Sequence, residues 1–291
     1  MRSEISDFIT VAQQDASLSW YAIADAAQHR EFPGKLTKIG RRMRCLFDVP
    51  EDSNMASHAP HLVELESPLK CPDYWKWIAT QGKSKPCISV FATDQDFSAV
   101  FNHLSKFTQV LMPGDELIYL AFWDPAILGT LIGQRDDLTL YVQGPVLNPE
   151  QKILFTSAIE YWWYWDRSGR LHVVEASACQ APPITSPLRL SQSQVDDLVE
   201  ASVPDHILYY ILLNQPMLLF DVEEPRRYDM VKEALHKARN IGLSSMSDLV
   251  NFACLELIYG DRMQVDERIC RLLDDVKDGK SNLADIVEKM P

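Results

Sequence analysis

Over the first two thirds of the chain, apolar residues come in short bursts separated by polar and turn-forming positions; over the last third they fall into helical spacing. Bursts at residues 20–26, 44–47, 62–65, 87–91, 116–122 and 138–142 are short, apolar and bounded by breakers, which predicts strands. Between them, residues 73–80, 94–107 and 125–132 read as helices. The second of these has Thr93 as its expected cap, with Phe97, Val100, Phe101 and Leu104 on one helical face. A hairpin is expected from 161–166 and 171–175 around Asp166-Arg167-Ser168-Gly169. Strands alternating with helices predict an α/β (α+β) lobe, a mixed sheet covered by helices.

The segment 115–146 condenses that pattern. It predicts a buried strand, a sharp helix start at Asp124-Pro125, a short apolar helix, and a second strand stopped by Gly144-Pro145. A different texture follows the prolines at 182, 183 and 187, which stop both ladders and helices. The expected organisation is therefore a lobe over 1–180, a proline-rich linker over 181–190, and a smaller all-helical lobe over 191–291. Ser191 with Gln194 and Ser245 with Asp248 look like capping boxes. Val250, Ala253, Cys254, Leu257 and Ile258 keep i, i+3, i+4 spacing, as do Ile269, Leu272, Leu273 and Val276. The first of these helices is apolar nearly all round, which predicts a central position in its lobe.

Composition narrows the function classes. The formal charge of −13 over 291 residues argues against nucleic acid and against an anionic membrane, both of which need clustered Lys and Arg. The acidity is concentrated late: from Leu188 on there are 19 acidic and 12 basic residues. Met1–Ser19 has no apolar core segment of the signal-peptide kind. The longest apolar run, 207–220, is broken by Asn214-Gln215-Pro216 and falls short of a membrane span. Six dispersed cysteines without a CxxC pair fit reduced thiols, so a cytoplasmic location is expected.

Candidate chemistry is sparse. None of the 11 glycines forms a phosphate-cradling motif, so no cofactor is expected. His58, His61 and Glu64 have metal-like spacing, but Pro60 interrupts a helix there and a strand would send His61 and Glu64 to opposite faces. Cys45 and Cys87 sit at strand starts, where buried inert thiols are common. The pairs Asp136-Asp137, Asp196-Asp197 and Asp274-Asp275 read as turns and solvated faces. Asp124 before Pro125 reads as a helix cap. No catalytic residue and no metal ligand is expected.

The run Tyr161-Trp162-Trp163-Tyr164-Trp165 invites a different use. On a strand, Trp162 and Tyr164 share one face and the other three share the opposite face. If one face is uncovered it offers an aromatic interface patch, and Trp162 and Tyr164 are the expected partner contacts.

Four steps, in order, resemble a known family. They are Trp20-Tyr21-Ala22-Ile23-Ala24-Asp25-Ala26-Ala27, Ala59-Pro60-His61-Leu62-Val63, Phe122-Trp123-Asp124-Pro125 and Gly144-Pro145-Val146. The chain over residues 20–175 resembles the adaptor-chaperone domain of bacterial type VI secretion, long filed as a domain of unknown function. The helical lobe is also similar to that family's C-terminal region. Asp124, Pro125, Gly144 and Pro145 are the structural motif positions. Ala121 and Ala126 stand where members often carry arginines, and His61 where they carry another aromatic. The resemblance implies a non-enzymatic cytoplasmic protein that binds a toxic effector, often by its N-terminal region, and loads it onto the VgrG spike. Two other classes fit the same composition: an immunity protein that neutralises a toxin, and an α/β enzyme without a recognisable motif, its pocket near Asp124 with Asp94 or His61.

Overall fold

A computed structural model describes residues 5–38, 42–50, 53–174 and 187–287. The chain divides into two compact units, Met1–Val199 and Glu200–Pro291. The division falls inside a long helix, while most of the expected proline-rich linker lies outside the described residues.

The first unit begins with α1 (Ser6–Gln14), β1 (Ser19–Asp25), α2 (Phe32–Leu36), β2 (Met43–Cys45), β3 (Pro60–Leu65), α3 (Pro72–Ser84), β4 (Ile88–Thr93) and α4 (Phe97–Leu104). It continues with β5 (Gln109–Leu111), β6 (Leu117–Tyr119), α5 (Pro125–Ile132), α6 (Pro149–Thr156), β7 (Tyr161–Trp165), β8 (Leu171–Val174) and β9 (Leu188–Arg189). Six strands form one sheet in the order β2-β3-β1-β4-β7-β8. Every pairing in it is antiparallel, so the sheet expected as mixed is not. The parallel pairing is β5 with β9, in a second sheet ordered β6-β5-β9.

Both faces of the large sheet are covered. On one side Trp20, Ala22, Val90, Trp163 and Trp165 pack with Phe8 of α1, Phe32 of α2 and Trp75 and Ile78 of α3. On the other, Tyr21, Ile23, Phe91, Trp162 and Tyr164 pack with Val100 and Phe101 of α4, Leu128 and Leu131 of α5 and Phe155 of α6. Two covered faces explain why β4 reads Ile-Ser-Val-Phe-Ala-Thr with all six residues buried, where a half-exposed strand would alternate.

Several predicted elements hold: β1, β3, β4, α3, α5 and the β7–β8 hairpin stand where the pattern placed them, within a few residues. Others do not. The helix expected over 94–107 starts at Phe97, capped by Asp96, whose carboxylate accepts from Ala99 N at 2.8 Å; Thr93 instead ends β4. The buried strand expected over 116–122 shrinks to β6, whose three side chains are all exposed.

Residues 138–142 form no strand. Asp137 accepts from Thr139 N and Oγ1 at 2.9 and 2.6 Å, and Gln143 Nε2 donates to the carbonyls of Asp137 and Leu140 at 3.3 and 3.5 Å. Local side-chain bonds occupy the backbone groups a ladder would use.

The long helix α7 (Gln192–Asn214) follows, then α8 (Glu224–Asn240), α9 (Met246–Tyr259), α10 (Arg262–Val265), α11 (Glu267–Lys277) and α12 (Leu283–Val287). The Ser191 box forms in both directions, Gln194 N donating to Ser191 Oγ at 3.3 Å and Ser191 N to Gln194 Oε1 at 2.9 Å. At Ser245 the cap alone forms, with Asp248 N donating to Ser245 Oγ at 3.1 Å and the Ser245 hydroxyl donating to Asp248 Oδ2. In the second unit α9 packs on α8, α10, α12 and the 3-10 turn Pro216–Leu219, the central place its apolar circumference predicted. Arg239 reaches Glu200 at 2.7 Å and Lys237 reaches Glu256 at 2.5 Å, tying α8 to α7 and α9. No helix of the described residues is long and apolar enough to cross a membrane.

Candidate functional site

The residues expected to meet a partner are the first to be corrected. Trp162 and Tyr164 are both 0% exposed. Phe91 and Phe155 lie against the Trp162 ring at 5.9 and 5.3 Å, because α4, α5 and α6 cover the face that a half-solvated sheet would leave open. The strand contributes core, with no aromatic surface on this side.

The structural motif positions have clear local work. Asp124 caps α5, accepting from Ala126 N at 2.8 Å, and its other oxygen accepts from Gln28 Nε2 at 3.0 Å. Pro125 occupies the first helical position, where its missing N–H costs nothing. Gly144 has φ of 66°, and a Cβ there would run into the Thr130 carbonyl oxygen. That close approach lets Val146 N donate to the same carbonyl at 3.2 Å. The Gly144–Pro145 peptide is cis.

His58 and His61 do not share a ligand sphere with Glu64. His58 Nδ1 lies 3.1 Å from the Asn54 carbonyl and His61 Nδ1 lies 3.0 Å from that of Ala59. His61 and Glu64 are an odd number apart on β3 and so face opposite ways. Asp94 is exposed at the end of β4, in a different place from Asp124. Burial pushes the Cys87 thiol up to about 11, the behaviour of an inert buried cysteine. Burial also raises the Asp25 and Asp124 carboxyls above the ordinary range; the Asp124 charge adds to the effect on Asp25, while Arg167 opposes it at Asp124.

A denser cluster lies where no motif pointed. His172 of β8 is buried, with Nε2 2.8 Å from Asp166 Oδ2 and Nδ1 3.1 Å from Asp136 Oδ2. Carboxylates only accept, so both ring nitrogens carry hydrogen and the ring is an imidazolium. Burial opposes that charge, but the Asp166 bond and the Asp137, Asp136 and Asp166 charges outweigh it and hold the pKa above its ordinary value. Burial likewise raises Asp166 and Asp136. The bonds from His172 and Ser168 more than reverse it at Asp166, as do those from Gln134 and His172 at Asp136.

Tyr164 donates to Asp137 Oδ2 at 2.9 Å, and burial, reinforced by the Asp137 charge, lifts the phenol far above its usual range. Asp137, Asp166 and His172 each bring one ligand atom within 4.8 Å of the others, a set that would suit a small cation. Such an ion would have to replace a proton on the His172 ring. With that proton in place, the cluster clamps the 134–140 loop onto the β7–β8 hairpin and so holds α5 over the sheet.

The second unit carries the opposite kind of feature. At the end of α7, Ile207 and Ile211 point into the core while Tyr209, Tyr210, Leu212 and Leu213 point out. In the 3-10 turn that follows, Leu219 is buried, but Met217 is 77% exposed, and Phe220 just beyond it 76%. Six large apolar side chains within twelve residues are thus open to solvent. Neither helical spacing nor burial logic singles this stretch out, although its apolar run, broken by Asn214-Gln215-Pro216, is visible in the sequence.

Residues 20–139 match the profile of a domain of unknown function (DUF4123). That span takes in β1 to β6 and α2 to α5, including Asp124-Pro125 and Asp137, and ends before the β7–β8 hairpin. No curated protein and no solved structure matches the chain.

Proposed function

We propose that the chain is a non-catalytic adaptor chaperone that binds a type VI secretion effector in the cytoplasm and loads it onto the VgrG spike. The observation that carries this reading is the match over residues 20–139, which coincides with the strands and the Asp124-Pro125 helix start where the sequence resembles that family. The geometry supports it in two ways. Three buried titratable side chains of the sheet unit are engaged in capping and clamping: Asp124 on the α5 N-terminus, His172 between two carboxylates, Tyr164 on Asp137. The large apolar side chains left in solvent on the helical unit are material for gripping another polypeptide.

Co-expression with the product of the adjacent gene tests the reading. The expected result is a soluble complex from which VgrG can also be pulled down, and loss of effector solubility when this chain is omitted. An adjacent product that is soluble alone and never co-purifies would refute it. Neutralisation of toxicity with no spike protein present would move the assignment to an immunity protein.

A further inference from the structure

We propose that the outward face formed by Tyr209, Leu213, Met217 and Phe220 docks a cationic amphipathic helix of the partner, one whose apolar stripe is flanked by Lys or Arg. This deepens the adaptor reading and rests on it for the identity of the partner. The argument begins with spacing. Tyr209 and Leu213 are four apart on one side of α7, and four residues on come Met217 in the 3-10 turn and Phe220 just after it, three apart; all four are exposed. Tyr209 and Tyr210 meet edge to face, with ring centroids 5.6 Å apart. Scattered exposed apolar residues are ordinary on a protein surface, whereas six large ones within twelve residues of sequence gather the material of an interaction site. Leaving such side chains in water forgoes the stabilisation that their burial would give. A partner that covers them recovers part of that.

Charge decides which partner. From residue 190 to residue 225 the sequence holds no Lys or Arg and seven acidic residues, Asp196, Asp197, Glu200, Asp205, Asp221, Glu223 and Glu224; Glu200 is paired with Arg239, and Arg226 and Arg227 follow. Asp205 stands one turn before Tyr209 on α7, and Asp221, Glu223 and Glu224 directly follow Phe220. A second copy of this chain seated on the patch would bring acid against acid, and an anionic membrane surface would be repelled in the same way. A helix with Leu-like residues at i, i+3, i+4 and Lys or Arg on its margins satisfies both the apolar face and the acidic rim. Tyr and Phe are the side-chain types that anchor such interfaces, and Met adapts to irregular ones.

The test uses the full chain and three synthetic peptides of about 18 residues, roughly five helical turns. One is amphipathic Leu/Lys, one has Glu for every Lys, and one has Ser for every Leu. Fluorescence anisotropy should register binding of the Leu/Lys peptide, weakening as salt rises, with both other peptides at least about tenfold weaker, or ~1.4 kcal/mol. The Tyr209→Ser/Leu213→Ser/Met217→Ser/Phe220→Ser variant should lose about tenfold or more. If it fails to fold, hydrogen exchange on the wild-type chain replaces it, with peptide-induced protection expected at 205–221.

Equal binding of the Glu peptide, undiminished binding by the folded variant, or protection confined to other segments would overturn the proposal. So would a dimer in sedimentation that the variant abolishes. The two readings fail separately. An effector that co-purifies equally with wild type and variant sinks the docking face and leaves the adaptor standing. Peptide binding at this face with no effector captured from co-expression does the reverse.

Discussion

His172 is the residue on which the sheet unit's electrostatics turn. Its imidazolium is buried between Asp166 and Asp136, with a pKa held above the ordinary value against the pull of burial. A histidine raised in the fold contributes stability that is fully present below its unfolded pKa, about 6.5, and lost as pH rises through the folded value. Asp166 and Asp136 are lowered, so their share is present above about 3.9 and lost as pH falls through their folded values. The clamp is therefore complete between those limits and opens on the alkaline side first through His172. Urea unfolding of wild type should show stability falling as pH is raised from near 6. His172→Gln should lose about 3–5 kcal/mol at pH 6, as expected when one partner of a buried charge pair is removed, and should lack that alkaline decline. An unchanged decline in the variant would assign it to another group.

At the scale of elements, what was legible followed from burial on one or two faces. The strands β1, β3 and β4 announced themselves because runs such as Ile88-Ser89-Val90-Phe91-Ala92-Thr93 are apolar enough to be covered on both sides. The Asp124-Pro125 start, the Ser191–Gln194 capping box and the Ser245 cap were legible because their chemistry is local. Three features were not. The exposure of β6 depends on its edge position, which no local pattern encodes. The loss of a strand at 138–142 depends on Asp137 and Gln143 bonding to nearby backbone, which competes with a ladder that hydropathy alone favours. The burial of Trp162 and Tyr164 depends on α4, α5 and α6 closing over their face, a tertiary fact.

The His172 cluster joins Asp136-Asp137 to the hairpin, 36 residues apart between Asp136 and His172, and short-range spacing does not report such a meeting. Helix packing yields a sharper expectation. Gly82 of α3 lies against the Trp165 indole so closely that an added Cβ would overlap the ring. Trp165 is buried among Phe8 and its neighbours and has no room to yield. Gly82→Ala should therefore cost about 1–3 kcal/mol despite the better helix propensity of alanine. A rise in the urea midpoint would mean that α3 shifts freely on the sheet.

The whole molecule combines a sheet unit with both faces closed and a helical unit with an open apolar face, under a net charge of −13. A net charge of this size opposes self-association and favours encounter with a basic partner. If the partner binds the native chain and not the unfolded one, mass action adds RT ln(1 + [L]/Kd) to apparent stability, about 2.7 kcal/mol at a hundredfold excess over Kd. The denaturation midpoint should then climb with the logarithm of the concentration of the proposed effector, and climb less at high salt because the acidic surface is screened. A helix that closes over the apolar face contributes its share through contact, which salt leaves nearly untouched, so part of the shift should survive. Complete loss of the shift in salt would make the association a charge attraction without burial, and the apolar face would then have no part in holding the effector. A midpoint that ignores effector concentration altogether, from a complex that nevertheless co-purifies, would place the effector on unfolded or aggregated chain.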